Sequence, residues 1–267
     1  MEYQTSTVQT QGFSMDYIRF GQGRKTLVIL PGLSVQSVIP SAGAITQAYQ
    51  AMTDDYTVYL FERRNKVPRQ YSIQDMAADT FAAMQTLGFE QIDLFGASQG
   101  GMIAMTIAAI HPSFVNKLVL GSTACRVNDQ QFTTVASWIE KAQAGDAEAL
   151  YLSFGRAIYP ESLFEQYRKA LILLSKHVTQ SELSRFIILA ESMRGVDLSA
   201  LLNHITCPVL VLGANDDRVL GGKACKELCD CLQNAVALET YSYDSYGHAA
   251  YDTAPDYRAR MLQFLRE

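Results

Sequence analysis

Between residues 91 and 110 the chain changes from one backbone period to another with almost no room to do so. Gln91 to Phe95 is a short apolar run of the kind that forms a buried strand, and Met102 to Ile110 carries apolar residues on nearly every face of a helix. The chain must reverse within the five residues Gly96-Ala97-Ser98-Gln99-Gly100. Glycine on both sides of the serine keeps Cβ atoms out of that reversal and leaves the Ser98 hydroxyl standing above a strand end, at a helix N-terminus. The bare Gly-x-Ser-x-Gly pattern also arises by chance in glycine-containing loops. A strand before it and a helix after it give it meaning here, and Ser98 is read as a nucleophile.

The same alternation runs through the first half of the chain. Ser6 to Gln9 and Met15 to Phe20 alternate apolar and polar residues as antiparallel strands do, with glycine turns at Gly12 and Gly21-Gln22-Gly23. Thr26 to Leu30 and Tyr56 to Phe61 are continuous apolar runs, expected as strands buried on both faces. Ile73 to Leu87 has helical spacing and stops at Gly88, and Lys117 to Leu120 is a further strand. Strand and helix in this rhythm predict an α/β fold with a mostly parallel sheet covered on both faces. The rhythm then breaks. From about Arg126 to Leu202 the pattern is almost wholly helical, over Phe132 to Ala144, Ala147 to Ala157, Ser162 to Leu174 and Gln180 to Met193. Strand-like runs resume at Val209 to Leu212, and after a helix over Ala224 to Leu232 a last strand is expected at Ala235 to Tyr241. A closing helix is expected over Pro255 to Arg266. The economical reading is a core made of residues 1–125 and 203–267, with residues 126–202 inserted over the sheet as a helical lid.

Composition narrows the class of partner. A chain of 267 residues with net charge −5 has no basic footprint for nucleic acid or an anionic membrane. No window approaches the length of a membrane span, and Met1 to Thr5 lacks a basic segment followed by an apolar one. With five cysteines, an odd number, and no export signal, the expectation is a reduced, cytoplasmic protein with free thiols. Cys225, Cys229 and Cys231 invite a metal reading. No histidine lies near them and Cys-x-x-Cys is absent, so no metal is expected.

A serine hydroxyl needs a base to take its proton and an acid to orient that base. Of four histidines, His111 and His204 fall at the wrong ends of their elements and His177 lies inside the helical block. His248, in Tyr246-Gly247-His248-Ala249, follows the final strand and stands where sites form in a parallel sheet, so it is the expected base. The acid should also follow a strand, and Gly213-Ala214-Asn215-Asp216-Asp217-Arg218-Val219 offers two carboxylates. Gly-x-x-Asp-x-x-Val spacing favours Asp216, with Asp217 then directed elsewhere, towards Arg218. Oxyanion donors are expected from the backbone N–H groups of Gln99, after the nucleophile, and Leu33, in the loop Pro31-Gly32-Leu33-Ser34. Trp138, Phe154, Tyr159, Phe164 and Met193 are candidate pocket walls, in competition with a role in the core of the helical block.

The segments around Ser98, Asp216 and His248, in that chain order, resemble the nucleophile, acid and base segments of the α/β-hydrolases. The likeness covers essentially the whole chain and is to the lid-bearing branch of small-molecule esterases, lactonases and haloperoxidase-like enzymes. It implies a Ser-Asp-His triad, an oxyanion hole at Leu33 and Gln99, and no cofactor. Two segments depart from the family pattern: Pro31-Gly32 stands where many members have His-Gly, and Glu62-Arg63-Arg64-Asn65 replaces the common Asp-x-Arg-Gly. Arg63 or Arg64 could meet an anionic substrate, although a solvated or ion-paired arginine is the commoner role. The expected activity is hydrolysis of a small ester or lactone. Carbon–carbon bond hydrolysis, thioester hydrolysis, acyl transfer and perhydrolysis would use the same groups. A ligand-binding protein on the same fold is the alternative outside enzymes.

Overall fold

A computed structural model describes residues 2–267. Eight strands form one sheet: β1 (Tyr3–Gln9), β2 (Ser14–Phe20), β3 (Lys25–Leu30), β4 (Tyr56–Arg64), β5 (Ile92–Ala97), β6 (Val115–Gly121), β7 (Val209–Ala214) and β8 (Leu238–Tyr243). Their spatial order is β1-β2-β4-β3-β5-β6-β7-β8. β1 and β2 pair antiparallel, β2 runs antiparallel to β4, and every later pairing is parallel. This is the mostly parallel α/β sheet that the alternation of apolar runs predicts.

Helices cover both faces because each central strand is apolar on both sides. Val28 and Leu30 of β3, Leu94 of β5 and Leu118 and Leu120 of β6 face one core, shared with α2 (Ile73–Thr86) and α3 (Gln99–Ile110). The alternate residues Leu27, Ile29, Phe95, Val119, Leu210 and Leu212 face the other, closed by α1 (Ala42–Ala48) and the C-terminal helix. α3 is buried from Gln99 to Ala109, which explains its lack of a polar face.

Four helices intervene between β6 and its neighbour β7: α4 (Asp129–Gln143), α5 (Ala147–Ile158), α6 (Glu161–Ser175) and α7 (Gln180–Glu191). Three of their starts are set by side-chain caps, with full capping boxes at Asn128 and Thr179 and an Asp146 cap on α5. The connections that lead into and out of this segment are tied together: Leu198 N–H donates to Cys125 O at 2.8 Å and Val127 N–H to Val196 O at 2.8 Å. The chain finishes with α8 (Ala224–Cys231), β8, α9 (Ala250–Thr253) and α10 (Tyr257–Arg266). β8 begins three residues later than the apolar pattern suggests. It is the edge strand and mostly exposed, so burial does not mark its start in the sequence.

Candidate active site

Ser98 joins β5 to α3 with φ 52° and ψ −122°, a left-handed conformation uncommon for a residue bearing a Cβ. Its N–H donates to Gly121 O at 2.8 Å, and its carbonyl accepts from Thr123 Oγ1 at 2.7 Å, so the strained residue is pinned on both sides. The flanking glycines serve close approach. A Cβ on Gly96 would lie 2.3 Å from Gly100 O, and one on Gly100 would lie 2.1 Å from Leu30 O. The elbow therefore closes only where backbone packs on backbone.

The three polar side chains brought together at this elbow are Ser98, His248 and Asp217. Ser98 Oγ lies 2.9 Å from His248 Nε2, and His248 Nδ1 lies 2.8 Å from Asp217 Oδ2. A carboxylate only accepts, so Nδ1–H donates to Asp217 and Nε2 is left to accept from the Ser98 hydroxyl. All three are buried, at 5%, 3% and 8% exposure for Ser98, His248 and Asp217. Burial works against a charge on Asp217, but the His248 ring beside it and the N–H groups of Leu220 and Val219 prevail and hold its carboxyl below the usual range. Those N–H groups donate to Oδ1 at 3.0 and 2.7 Å, which fixes the carboxylate as His248 sees it.

This corrects the expectation that Asp216 partners His248. The chain turns after β7, with Asp217 N–H donating to Ala214 O, so Asp217 folds inward while Asp216 stays exposed. The Asp216 carboxylate instead accepts the Gly247 N–H, at 3.1 Å to each oxygen, and holds the histidine loop from outside. Nor does Asp217 turn to Arg218, which is exposed. Spacing in the sequence cannot separate adjacent carboxylates whose directions are set by one turn. The other histidines lie elsewhere: His111 stacks on Phe81 with 3.5 Å between centroids, and His177 and His204 are exposed.

Leu33 and Gln99 border the site on two sides. Gln99 is the first residue of α3, where helical N–H groups lack an intrahelical acceptor, and among the described residues neither its N–H nor that of Leu33 donates to a protein group. Trp138 of α4, Phe154 of α5 and Met193 just after α7 close a cavity of about 10 Å³ over Ser98, joined by Ile158 and Tyr251. Tyr159 and Phe164 do not reach it, contrary to expectation. Tyr159 packs edge-on against Tyr167 at 5.1 Å, and Phe164 is buried under the Arg156 guanidinium, 4.8 Å from its ring centre. Helical spacing marks all five as apolar, but only the packing of the helices between β6 and β7 decides which reach the serine.

Spacing along the chain carries no sign of the polar network beneath the Pro31-Gly32-Leu33 loop. Arg63 is buried, and its Nη2 donates to Pro31 O at 2.8 Å and to Gln99 Oε1 at 3.2 Å. The Gln99 amide in turn donates to Leu189 O at 2.6 Å and Ser192 Oγ at 3.1 Å. Burial pulls the Arg63 guanidinium down to about 10, against the support of Glu62. Glu62 accepts from Arg185 of α7 at 2.8 Å and from Val38 N–H at 2.9 Å. Its burial opposes the charge, yet Arg185, Arg63 and two backbone N–H groups hold the carboxyl below its usual range. Arg63 is thus internal wiring, and Arg64 pairs with Asp79 at 3.2 Å. Among the described residues no group of three or more metal-ligating side chains is found, and no helix is long and apolar enough to cross a membrane.

Comparison with known proteins agrees with the topology. The model of the family described as alpha/beta hydrolase fold matches residues 25–152. The chain is 24% identical over 225 residues to a provisionally named carbamate hydrolase, RutD, of Agrobacterium fabrum, covering 81% of this chain and 85% of that one. Among solved structures it is similar to MGS-M2, an alpha/beta hydrolase enzyme from a Medee basin deep-sea metagenome library, with TM-score 0.87, 22% identity and 98% of each chain covered. The enol-lactonase of Burkholderia xenovorans LB400 aligns with TM-score 0.82 at 18% identity, over 98% of this chain and 100% of that one.

Proposed function

We propose that this protein, an α/β-hydrolase by fold, is a serine hydrolase that cleaves a small carboxylic ester or lactone through an acyl-enzyme. The observation that carries the reading is the buried relay from Asp217 through His248 to Ser98, with both hydrogen bonds under 3 Å. In this reading His248 Nε2 takes the hydroxyl proton as Ser98 Oγ attacks the acyl carbon, and Asp217 holds the ring in the tautomer that can accept it. The negative charge that develops on the acyl oxygen is met by the N–H groups of Leu33 and Gln99, each worth ~10² to 10³ in rate. His248 then returns the proton to the leaving alcohol, and a water activated by the same ring releases the acid. Residues 126–202 act as the lid, with Trp138, Phe154, Ile158 and Met193 excluding solvent from the reacting atoms. Carbamate and enol-lactone, the substrate types in the names of two similar proteins, both react at an acyl carbon.

Ser98→Ala should reduce turnover of p-nitrophenyl acetate by about 10⁶-fold, the cost of losing a triad nucleophile. A fluorophosphonate should label wild-type protein at Ser98, one adduct per chain, and leave the variant unlabelled. Folded wild-type protein that neither turns over esters nor takes the label would be a ligand-binding protein, and the hydrolase reading would fall.

A further inference from the structure

The space above Ser98 is about 10 Å³, at the lower limit for a single water, so the body of a substrate must lie elsewhere. A second cavity of about 410 Å³ adjoins it, within the range of small-molecule sites. Gly32, Leu33 and Tyr251 border both spaces and form their common wall. The larger cavity is not under the lid. It opens on the opposite side of the oxyanion loop, between the C-terminal ends of β3 and β5 and the helix α1. Ile29, Phe95 and Ala97 line it from the sheet, and Ile45, Ala48 and Tyr49 from the α1 side.

Its chemistry is apolar with a neutral rim. The lining carries one cation, Arg258, and one anion, Asp252, and these pair with each other at 3.4 Å. The Arg258 guanidinium also lies over the Tyr49 ring, 5.1 Å from its centre. A charged group entering here would have to displace this pairing, whereas an alkyl or aryl group would only replace water against apolar walls.

Resting on the serine-hydrolase reading, we infer that this cavity is the subsite for the uncharged apolar part of the substrate, reached from Ser98 past the side chains of Leu33 and Tyr251. The substrate class is then an ester or lactone with a medium-length apolar chain, and α1, rather than the lid, sets how long that chain can be.

The test is a chain-length series on the full protein, p-nitrophenyl acetate to octanoate, with alkyl acetates of matching length run beside it. In the wild type, kcat/KM should rise by about fourfold per methylene until the cavity is filled, the worth of burying one CH₂. Ala48→Phe puts a ring into the cavity and should lower the octanoate-to-acetate ratio at least tenfold, the value of about two buried methylenes. Ala44→Phe does the same from the exposed side of α1 and covers the case in which Ala48→Phe does not fold. Whichever series responds assigns the cavity to the acyl or the alcohol part. If folded variants keep the wild-type profile in both series while esters are still turned over, the subsite assignment is overturned and the hydrolase reading stands. If the wild type turns over no ester and Ser98 takes no label, both are overturned.

Discussion

Replacing Asp217 and Asp216 separately by asparagine distinguishes two carboxylates that the sequence places side by side. In Asp217→Asn the shape is kept, and the amide oxygen can still accept from Val219 and Leu220, whose N–H groups now hold Oδ1 at 2.7 and 3.0 Å. The group facing His248 Nδ1, 2.8 Å away in the wild type, then becomes an NH₂ that cannot accept. The ring responds by presenting Nδ1 as acceptor and Nε2–H as donor. Nε2, 2.9 Å from Ser98 Oγ, can then no longer take the hydroxyl proton. The expected loss in kcat is ~10⁴, or about 5.4 kcal/mol of transition-state stabilisation. Asp216→Asn removes the charge and one of two acceptor oxygens from the bond to Gly247 N–H, but the exposed amide keeps the other oxygen and touches neither His248 nor Ser98, so it should cost less than about tenfold. Steady-state hydrolysis of p-nitrophenyl acetate reads both values. A rate for Asp217→Asn within tenfold of wild type, or a thousandfold loss in Asp216→Asn, would refute the assignment.

The same carboxyl also makes a stability prediction. Its folded-state pKa is held below the unfolded value, so the unfolded chain binds the proton more readily. Its pH-dependent contribution to stability is complete above the unfolded value of ~3.9 and is lost as pH falls through the lower folded value. The stability difference between wild type and Asp217→Asn in urea should therefore shrink on acidification below about pH 4. A difference that grows on acidification contradicts the depressed pKa.

Two further substitutions probe the elbow and its support. Gly100→Ala would set a Cβ 2.1 Å from the Leu30 carbonyl oxygen, backbone against backbone, and should destabilise by ~3 kcal/mol or more in thermal or urea unfolding. Arg63→Leu leaves the Pro31 carbonyl and the Gln99 side chain without their buried donor, which loosens both segments that carry the proposed oxyanion N–H groups. kcat should fall about tenfold to a hundredfold with little change in KM, the range expected for losing a charged hydrogen bond, and Arg63→Lys should recover part of it. A change confined to KM would argue against a positioning role.

Most of the architecture is legible in the residues because it rests on local periods. Continuous apolar runs at Thr26 to Leu30 and Val209 to Leu212 can only be strands buried on both faces, and the helical stretch from Arg126 to Leu202 interrupts them in a way visible without coordinates. Ser98 and His248 are legible for the same reason, since each follows a strand and strand ends in a parallel sheet converge. The edge strand β8 is less so, because exposure removes the apolar signal that would mark its start.

Direction and depth are decided only by the folded chain. One turn after β7 faces Asp217 inward and leaves Asp216 to hold the Gly247 N–H, a choice made by hydrogen bonds to a loop some thirty residues away. Arg63 reads as a surface or substrate-facing cation until the Pro31 carbonyl and Gln99 are packed around it. Trp138, Phe154, Tyr159, Phe164 and Met193 share one apolar character in the sequence, yet three reach the serine and two do not. The cavity beside α1 is bounded by residues from five separated parts of the chain. Residue types and their spacing place Ser98, His248 and a pair of adjacent carboxylates at element ends, because each follows a locally predictable strand. What surrounds them is set by contacts between segments distant in sequence, and such contacts exist only once the sheet has brought those segments together.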